Sequence, residues 1–187
     1  MNIIKKRNLR RAKSISRFYK GYLEKGQNVL DIGLGNGLNA AQIRKEHKVN
    51  ITGIDVIDFN EADIPLKIFD GKNIPFKDNK FDVAMITQTL HHCDEPLKVL
   101  KEASRVSKRL VILEDVGVSG IHMIISKWFD WMMNLRHGVN SPGNFRMHEE
   151  WLSVFRKMKL KVIVTKKYEE NPFYSPMRSR FYVLEKK

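Results

Sequence analysis

The segment Val29-Leu30-Asp31-Ile32-Gly33-Leu34-Gly35-Asn36-Gly37 constrains this chain more than any other. A short apolar run ends in three alternate glycines, and a helical stretch follows directly, to about His47. Glycine lacks Cβ, so backbone at such positions can take positive φ, turn tightly and approach another molecule closely. The helix that opens behind the turn offers free N–H groups to a polar or anionic ligand. One alternative is a dinucleotide fingerprint, G-x-G-x-x-G. It would place its third glycine at position 38, which is Leu38; here the glycine falls at Gly37.

Strands and helices alternate on both sides of this turn. Ile15, Phe18, Tyr19, Tyr22 and Leu23 fall at helical spacing, so residues 10–24 read as an amphipathic helix with Gly26 as its stop. Seven strands are expected, over 28–32, 50–54, 66–69, 81–87, 109–113, 161–165 and 179–184. Further helices are expected over 95–107, 120–135 and 148–158, a loop at Ser141-Pro142-Gly143, and an irregular stretch over 169–178. This order predicts an α/β, doubly wound, mostly parallel seven-stranded sheet covered on both faces, with a late antiparallel strand. Ligands of such sheets bind beyond the carboxyl ends of the strands. Gly33–Gly37, Asp55, Asp70 and the 87–92 segment all follow expected strand ends and so gather around one crevice.

The turn, read as D-x-G-x-G-x-G from Asp31 to Gly37, resembles that of the class I S-adenosylmethionine-dependent methyltransferases, which share a Rossmann-like fold. Ile51-Thr52-Gly53-Ile54-Asp55-Val56 is similar to that family's second strand and its terminal acid. Asp70-Gly71-Lys72-Asn73-Ile74-Pro75-Phe76, with Phe81-Asp82-Val83 after it, resembles the small-molecule branch often called type 11. Leu90-His91-His92 after the fourth strand completes the likeness, which covers residues 25–115 well and thins beyond them. The resemblance implies that Asp31, Gly33, Gly35 and Gly37 cradle the cofactor. It also implies that Asp55 binds the ribose hydroxyls and that Asp70 and Gly71 meet the adenine. A carboxylate can accept both hydrogen bonds of a vicinal diol. Thr87 and Gln88 are expected at the methionine end, and His91 is the candidate catalytic group, since histidine titrates near neutral pH. Asp82 opens a strand and reads as structural. Glu114 and Asp115 face either the acceptor pocket or a solvated turn. No metal is expected, since no third ligand lies at useful spacing from the two histidines.

The cofactor implied is S-adenosylmethionine, with S-adenosylhomocysteine as product. Such motifs identify the donor well and the acceptor poorly, because methyl transfer chiefly requires positioning and needs a base only if the acceptor loses a proton. The whole chain, 1–187, reads as one methyltransferase domain, with the basic 1–25 helix and the 116–147 segment as candidate lid or acceptor elements. The apolar 121–133 stretch, with Met123, Trp128, Phe129, Trp131, Met132 and Met133, favours a small-molecule or lipid-like acceptor. Arg146 or His148 could meet an acidic one. The net charge of +13 sits at the ends: +8 over residues 1–25 and +7 over 156–187, against −4 over 28–95. That distribution suits RNA or an anionic membrane surface as a partner. An RNA methyltransferase and a non-catalytic S-adenosylmethionine-binding protein are therefore the alternative readings. One cysteine, Cys93, rules out an intramolecular disulfide. With no bilayer-spanning apolar run and no secretory signal pattern, a cytoplasmic protein is expected, peripheral to a membrane if its basic ends engage one.

Overall fold

Strand β1 (Asn28–Ile32) lies at the heart of the sheet and is buried from Val29 onward. A near-continuous apolar run, here broken only by Asp31, is what a parallel strand covered on both faces requires. The computed structural model describes residues 3–134, 142–169 and 178–187. For residues 3–5, 129–130, 133–134 and 169 it describes the backbone alone. Ser141 of the expected loop, and 170–177 of the expected irregular stretch, lie outside the described residues.

The chain runs α1 (Ile3–Phe18), β1, α2 (Leu38–His47), β2 (Asn50–Asp55), β3 (Leu66–Ile68), β4 (Phe81–Thr87), a 3-10 turn (Leu90–His92) and α3 (Pro96–Val106). It continues β5 (Ser107–Gly117), α4 (Gly120–Asn134), β6 (Arg146–Met147), α5 (His148–Lys157), β7 (Leu160–Glu169) and β8 (Arg178–Lys186). Seven strands form the main path in the order β3-β2-β1-β4-β5-β8-β7, and the two-residue β6 pairs beside β5. β8 runs antiparallel to both β5 and β7, while the other pairs are parallel. The sheet is thus the Rossmann-like, mostly parallel one expected, with its late antiparallel strand.

Alternate residues of each strand feed two cores. Leu30, Ile32, Ala84, Ile86, Leu110, Ile112, Tyr182 and Leu184 pack with α3 and α5. Their neighbours Val29, Val83, Met85, Val111, Leu113, Phe181 and Val183 pack with α1 and α2. Helix ends follow local chemistry. Pro96 opens α3, where its missing N–H costs nothing. Lys48 closes α2 in the left-handed region, its N–H bonded to the Arg44 carbonyl.

Several boundaries differ from expectation: β6 has no expected counterpart, β7 runs on to Glu169 as it pairs with β8, and α1 and β5 differ most. Helix α1 spans Ile3–Phe18 rather than 10–24. Lys and Arg are good helix formers, so the basic stretch carries the helix toward the N-terminus. Tight turns at Ser16–Tyr19 and Tyr19–Tyr22 end it, and Gly21 takes φ +85°. The freed aromatics grip the sheet: Phe18, Tyr19 and Tyr22 each pack against Phe181, with ring centroids 5.5–5.7 Å apart. Strand β5 runs eleven residues to Gly117, past the expected end at Leu113. It does so because Glu114 and Asp115, which interrupt its apolar pattern, each find polar partners in the interior.

Candidate functional site

The carboxyl ends of β1, β2 and β4 meet where the sheet order reverses, and the glycine turn is woven into that junction. Gly33 and Leu34 donate N–H bonds to the Ile54 carbonyl at 2.9 and 3.2 Å. Gly33, Gly35 and Gly37 all take positive φ, at +78°, +55° and +74°. Their surroundings differ, and the difference assigns them different work. A Cβ on Gly33 would collide with the Thr89 side chain. On Gly37 it would lie 2.6 Å from Asn60 Oδ1 and 2.9 Å from Ala62 Cβ. On Gly35 it would meet nothing within 4 Å. Gly33 and Gly37 are therefore demanded by the protein's own packing, whereas Gly35 bares its backbone toward open space.

Two carboxylates flank that bare surface. Asp55, at the end of β2, accepts the Gly35 N–H at 2.8 Å through Oδ2 and the Val56 N–H at 2.7 Å through Oδ1. Each carboxylate oxygen has a second lone pair, so capacity for a diol remains. Asp31 is 3% exposed, and its Oδ1 has no hydrogen-bond partner among the described residues. Burial, and then the nearby Asp55 charge, push its carboxyl well above the usual aspartate range. A buried acceptor without a donor is costly, and a cationic group bound here would relieve it.

Asp70 lies on the neighbouring loop, where its carboxylate organises the turn. Oδ1 accepts the N–H groups of Lys72 at 2.8 Å and Asn73 at 2.6 Å, and Oδ2 accepts the Asn73 side-chain amide at 2.6 Å. Those bonds hold its pKa down at about 2. Gly71, at φ +75°, sits where a Cβ would lie 3.0 Å from Val56, which ties this loop to the one after Asp55. Asp58, the nearest other acid, caps its own turn through the Asn60 N–H at 3.0 Å. Asp82 accepts the Asn28 N–H at 2.9 Å and Lys108 Nζ at 2.8 Å, a strand-pinning arrangement.

Beyond β4, Thr87 and Gln88 face the α1 side. Thr87 Oγ1 lies 2.9 Å from the Tyr19 hydroxyl, whose pKa burial raises. Gln88 adopts φ +52°. Its amide donates to Asp115 Oδ1 at 2.9 Å, and its oxygen accepts from Arg11 of α1. Asp115, 4% exposed, also accepts from the Ser179 hydroxyl. The N-terminal helix is thereby bound to the crevice through Arg11 and Tyr19, two links that sequence spacing does not reveal.

His91 is turned to the opposite face of the sheet. Its ring is 2% exposed, bonded through Nδ1 to Glu114 and stacked on Phe145 at 4.6 Å. Glu114 also accepts the N–H groups of Leu90 at 2.8 Å and Thr89 at 3.2 Å. Burial raises the Glu114 carboxyl, but His91 and the N–H groups of Leu90 and Asp115 outweigh it, and the net direction is down. Glu114 and Asp115 are thus both buried rather than solvated. His148 bonds through Nδ1 to the Tyr182 hydroxyl at 2.9 Å, and Arg146 lies 5.7 Å from the centre of the Trp151 ring. Among the described residues no group of three or more His, Cys, Asp or Glu is placed to hold a metal ion.

Residues 30–113 match the family described as a methyltransferase domain. An O-methyltransferase of Aspergillus sclerotiorum is 33% identical over 94 residues, covering 43% of this chain and 36% of that protein. A demethylmenaquinone methyltransferase of Paenarthrobacter aurescens is 36% identical over 104 residues, covering 48% of this chain and 39% of its own length. The match therefore spans well under half of either relative. A Haloferax volcanii methyltransferase, solved with the Trm112 methyltransferase activator, superposes with a TM-score of 0.72 over 94% of this chain and 90% of its own. At 15% identity, that likeness speaks to the fold alone. The glycine turn at the reversal of the sheet and the acid that ends β2 both lie within residues 30–113, the part that matches a methyltransferase domain, and the fold is the one seen in the solved methyltransferase.

Proposed function

We propose that this chain moves the methyl group of S-adenosylmethionine to a small-molecule or lipid-like acceptor at the carboxyl edge of the sheet. One observation carries the reading: Gly35 exposes positive-φ backbone to open space, with the Asp55 carboxylate beside it and the orphaned Asp31 oxygen close by. This cradle fits a ligand that brings both a diol and a cation. Asp55 would hold the ribose, Gly33, Gly35 and Gly37 the chain of the cofactor, and Asp31 its ammonium group. Asp70 and Gly71 would border the adenine, and Thr87 and Gln88 the methionine end. When bound, the cofactor supplies an electrophilic methyl group on a sulfonium sulfur.

The protein's contribution is then positioning and exclusion of water. We assign His91 to positioning: with Glu114 it fixes the 89–91 backbone, and Thr89 presses on Gly33. The likeness to a demethylmenaquinone methyltransferase supports an acceptor of that class. Titration calorimetry with S-adenosylmethionine should give binding that weakens at least tenfold in Asp55→Ala, and more modestly in Asp70→Ala. Absence of binding to the wild type would end the proposal. Incubating cell extract with methyl-labelled cofactor should label the lipid or small-molecule fraction; label confined to RNA would transfer the activity to that substrate instead.

A further inference from the structure

Helix α4 is folded inside out for a helix in water. Ile121, Ile124, Ile125, Trp128, Trp131 and Met132 are all exposed, Ile121 by 74% and Trp128 by 59%. At 3.6 residues per turn they occupy an arc of about 120° along roughly 16 Å of helix. On the opposite side, Ser126 is 2% exposed and Met123 packs on Gly117. Soluble helices turn their apolar stripe inward, and a contiguous exposed apolar patch marks a surface that something else covers.

The neighbouring element indicates what covers it. Helix α1 carries seven Lys and Arg and no acid. Lys6, Arg7, Arg10 and Lys13 are exposed, and Lys6, Leu9, Arg10 and Lys13 outline a shallow hollow. Arg11 of α1 bonds to Gln88, Gln88 bonds to Asp115, and α4 begins five residues beyond Asp115. The basic helix and the apolar stripe thus rise from the same edge of the sheet, where the candidate site opens.

We propose that α1 and α4 together dock this edge on an anionic lipid bilayer, so that an apolar acceptor reaches the site from the membrane. This rests on the methyltransferase reading above and adds the partner to it. A bilayer surface answers both features at once: headgroups neutralise the bases, and the acyl boundary takes up isoleucine and tryptophan. Nucleic acid would meet the bases and leave the stripe in water. A second copy would cover the stripe and set one +13 chain against another. Among the described residues no helix is long and apolar enough to cross a membrane, so the attachment is peripheral.

Sedimentation of the full chain with vesicles tests this. Vesicles of phosphatidylglycerol and phosphatidylcholine should carry the protein down, and vesicles of phosphatidylcholine alone should carry much less. Binding should weaken in high salt, as surface electrostatics requires. The double variant Ile124→Ser, Trp128→Ser should lose at least tenfold of its vesicle affinity while binding S-adenosylmethionine as the wild type does. Lys6→Glu with Arg10→Glu should lose at least as much, since each base near the surface is worth roughly fivefold. No binding to anionic vesicles, or unchanged binding of the Ile124/Trp128 variant, would overturn the proposal. So would a dimer, or an RNA complex, that the Ile124/Trp128 variant abolishes while its vesicle binding persists. Calorimetry on the same samples keeps a failure of docking distinct from a failure of cofactor binding.

Discussion

Replacing Gly35 with alanine should separate ligand binding from folding. Its φ of +55° lies in the left-handed region, where an L side chain costs about 1–2 kcal/mol. Nothing lies within 4 Å of the added Cβ, so no clash is added. For a chain of this size each kcal/mol lowers Tm by about 2–4 °C, which gives a fall of about 2–8 °C. The new methyl group stands where the ligand would approach the backbone. Affinity for S-adenosylmethionine should therefore drop at least tenfold, about 1.4 kcal/mol. Gly33→Ala is the comparison for stability. It has the same backbone cost plus a collision with Thr89, and overpacking adds about 1–3 kcal/mol. The sum is about 2–5 kcal/mol, or about 4–20 °C in Tm. Scanning calorimetry and cofactor titration on both variants check the pair. If Gly35→Ala binds within twofold of the wild type, its open face is not the ligand's and the site has been misread. If both variants melt alike, Thr89 does not press on Gly33 as the structure shows.

Other outcomes follow from the buried charges. Asp31 has a folded pKa above its unfolded value, so it favours the fold at low pH and loses that contribution as pH rises above about 4. Asp31→Asn should therefore gain stability over the wild type progressively from that pH upward without ligand, yet bind cofactor more weakly; a constant difference across pH would count against the burial of that charge. Binding of a cationic ligand should release a proton from Asp31, detectable as a buffer-dependent enthalpy at pH values near its raised pKa. Glu114→Ala should cost about 3–5 kcal/mol by stranding His91 and three N–H groups, lowering Tm by about 6–20 °C. Because the Glu114 pKa is depressed, its contribution holds above the ordinary glutamate range and disappears as pH falls through the folded value, so the variant should be less acid-sensitive than the wild type. Tyr19→Phe removes one buried hydrogen bond to Thr87 and should cost about 1 kcal/mol, read as a shift of about 2–4 °C.

Most of the sheet was legible because its buried strands are written as unbroken apolar runs, as in Val83–Ile86 and Leu110–Leu113. The glycine turn and Asp55 were legible because their chemistry is local. What depends on distant partners was not. Glu114 and Asp115 look like the charged end of a strand, and only the fold supplies His91 and Gln88 to bury them. The positive φ of Gln88 has no local sign, since glutamine does not advertise that conformation. The start of α1 was misplaced because bases hide apolar periodicity, and its true end reflects aromatic rings drawn onto Phe181. The outward stripe of α4 was visible as an apolar segment, but its direction was not.

The adjacent acids at the end of β5 have a consequence for how this molecule can vary. Successive strand residues point to opposite faces, so Glu114 secures the loop before α3 while Asp115 secures the basic helix through Gln88. A one-residue insertion within 107–113 would exchange those faces, and both attachments would come loose together. Changing the length of the 56–64 loop would disturb neither. β5 thus acts as a two-sided key: its register ties the setting of the N-terminal helix to that of the 89–91 loop, although the two lie on opposite faces of the sheet.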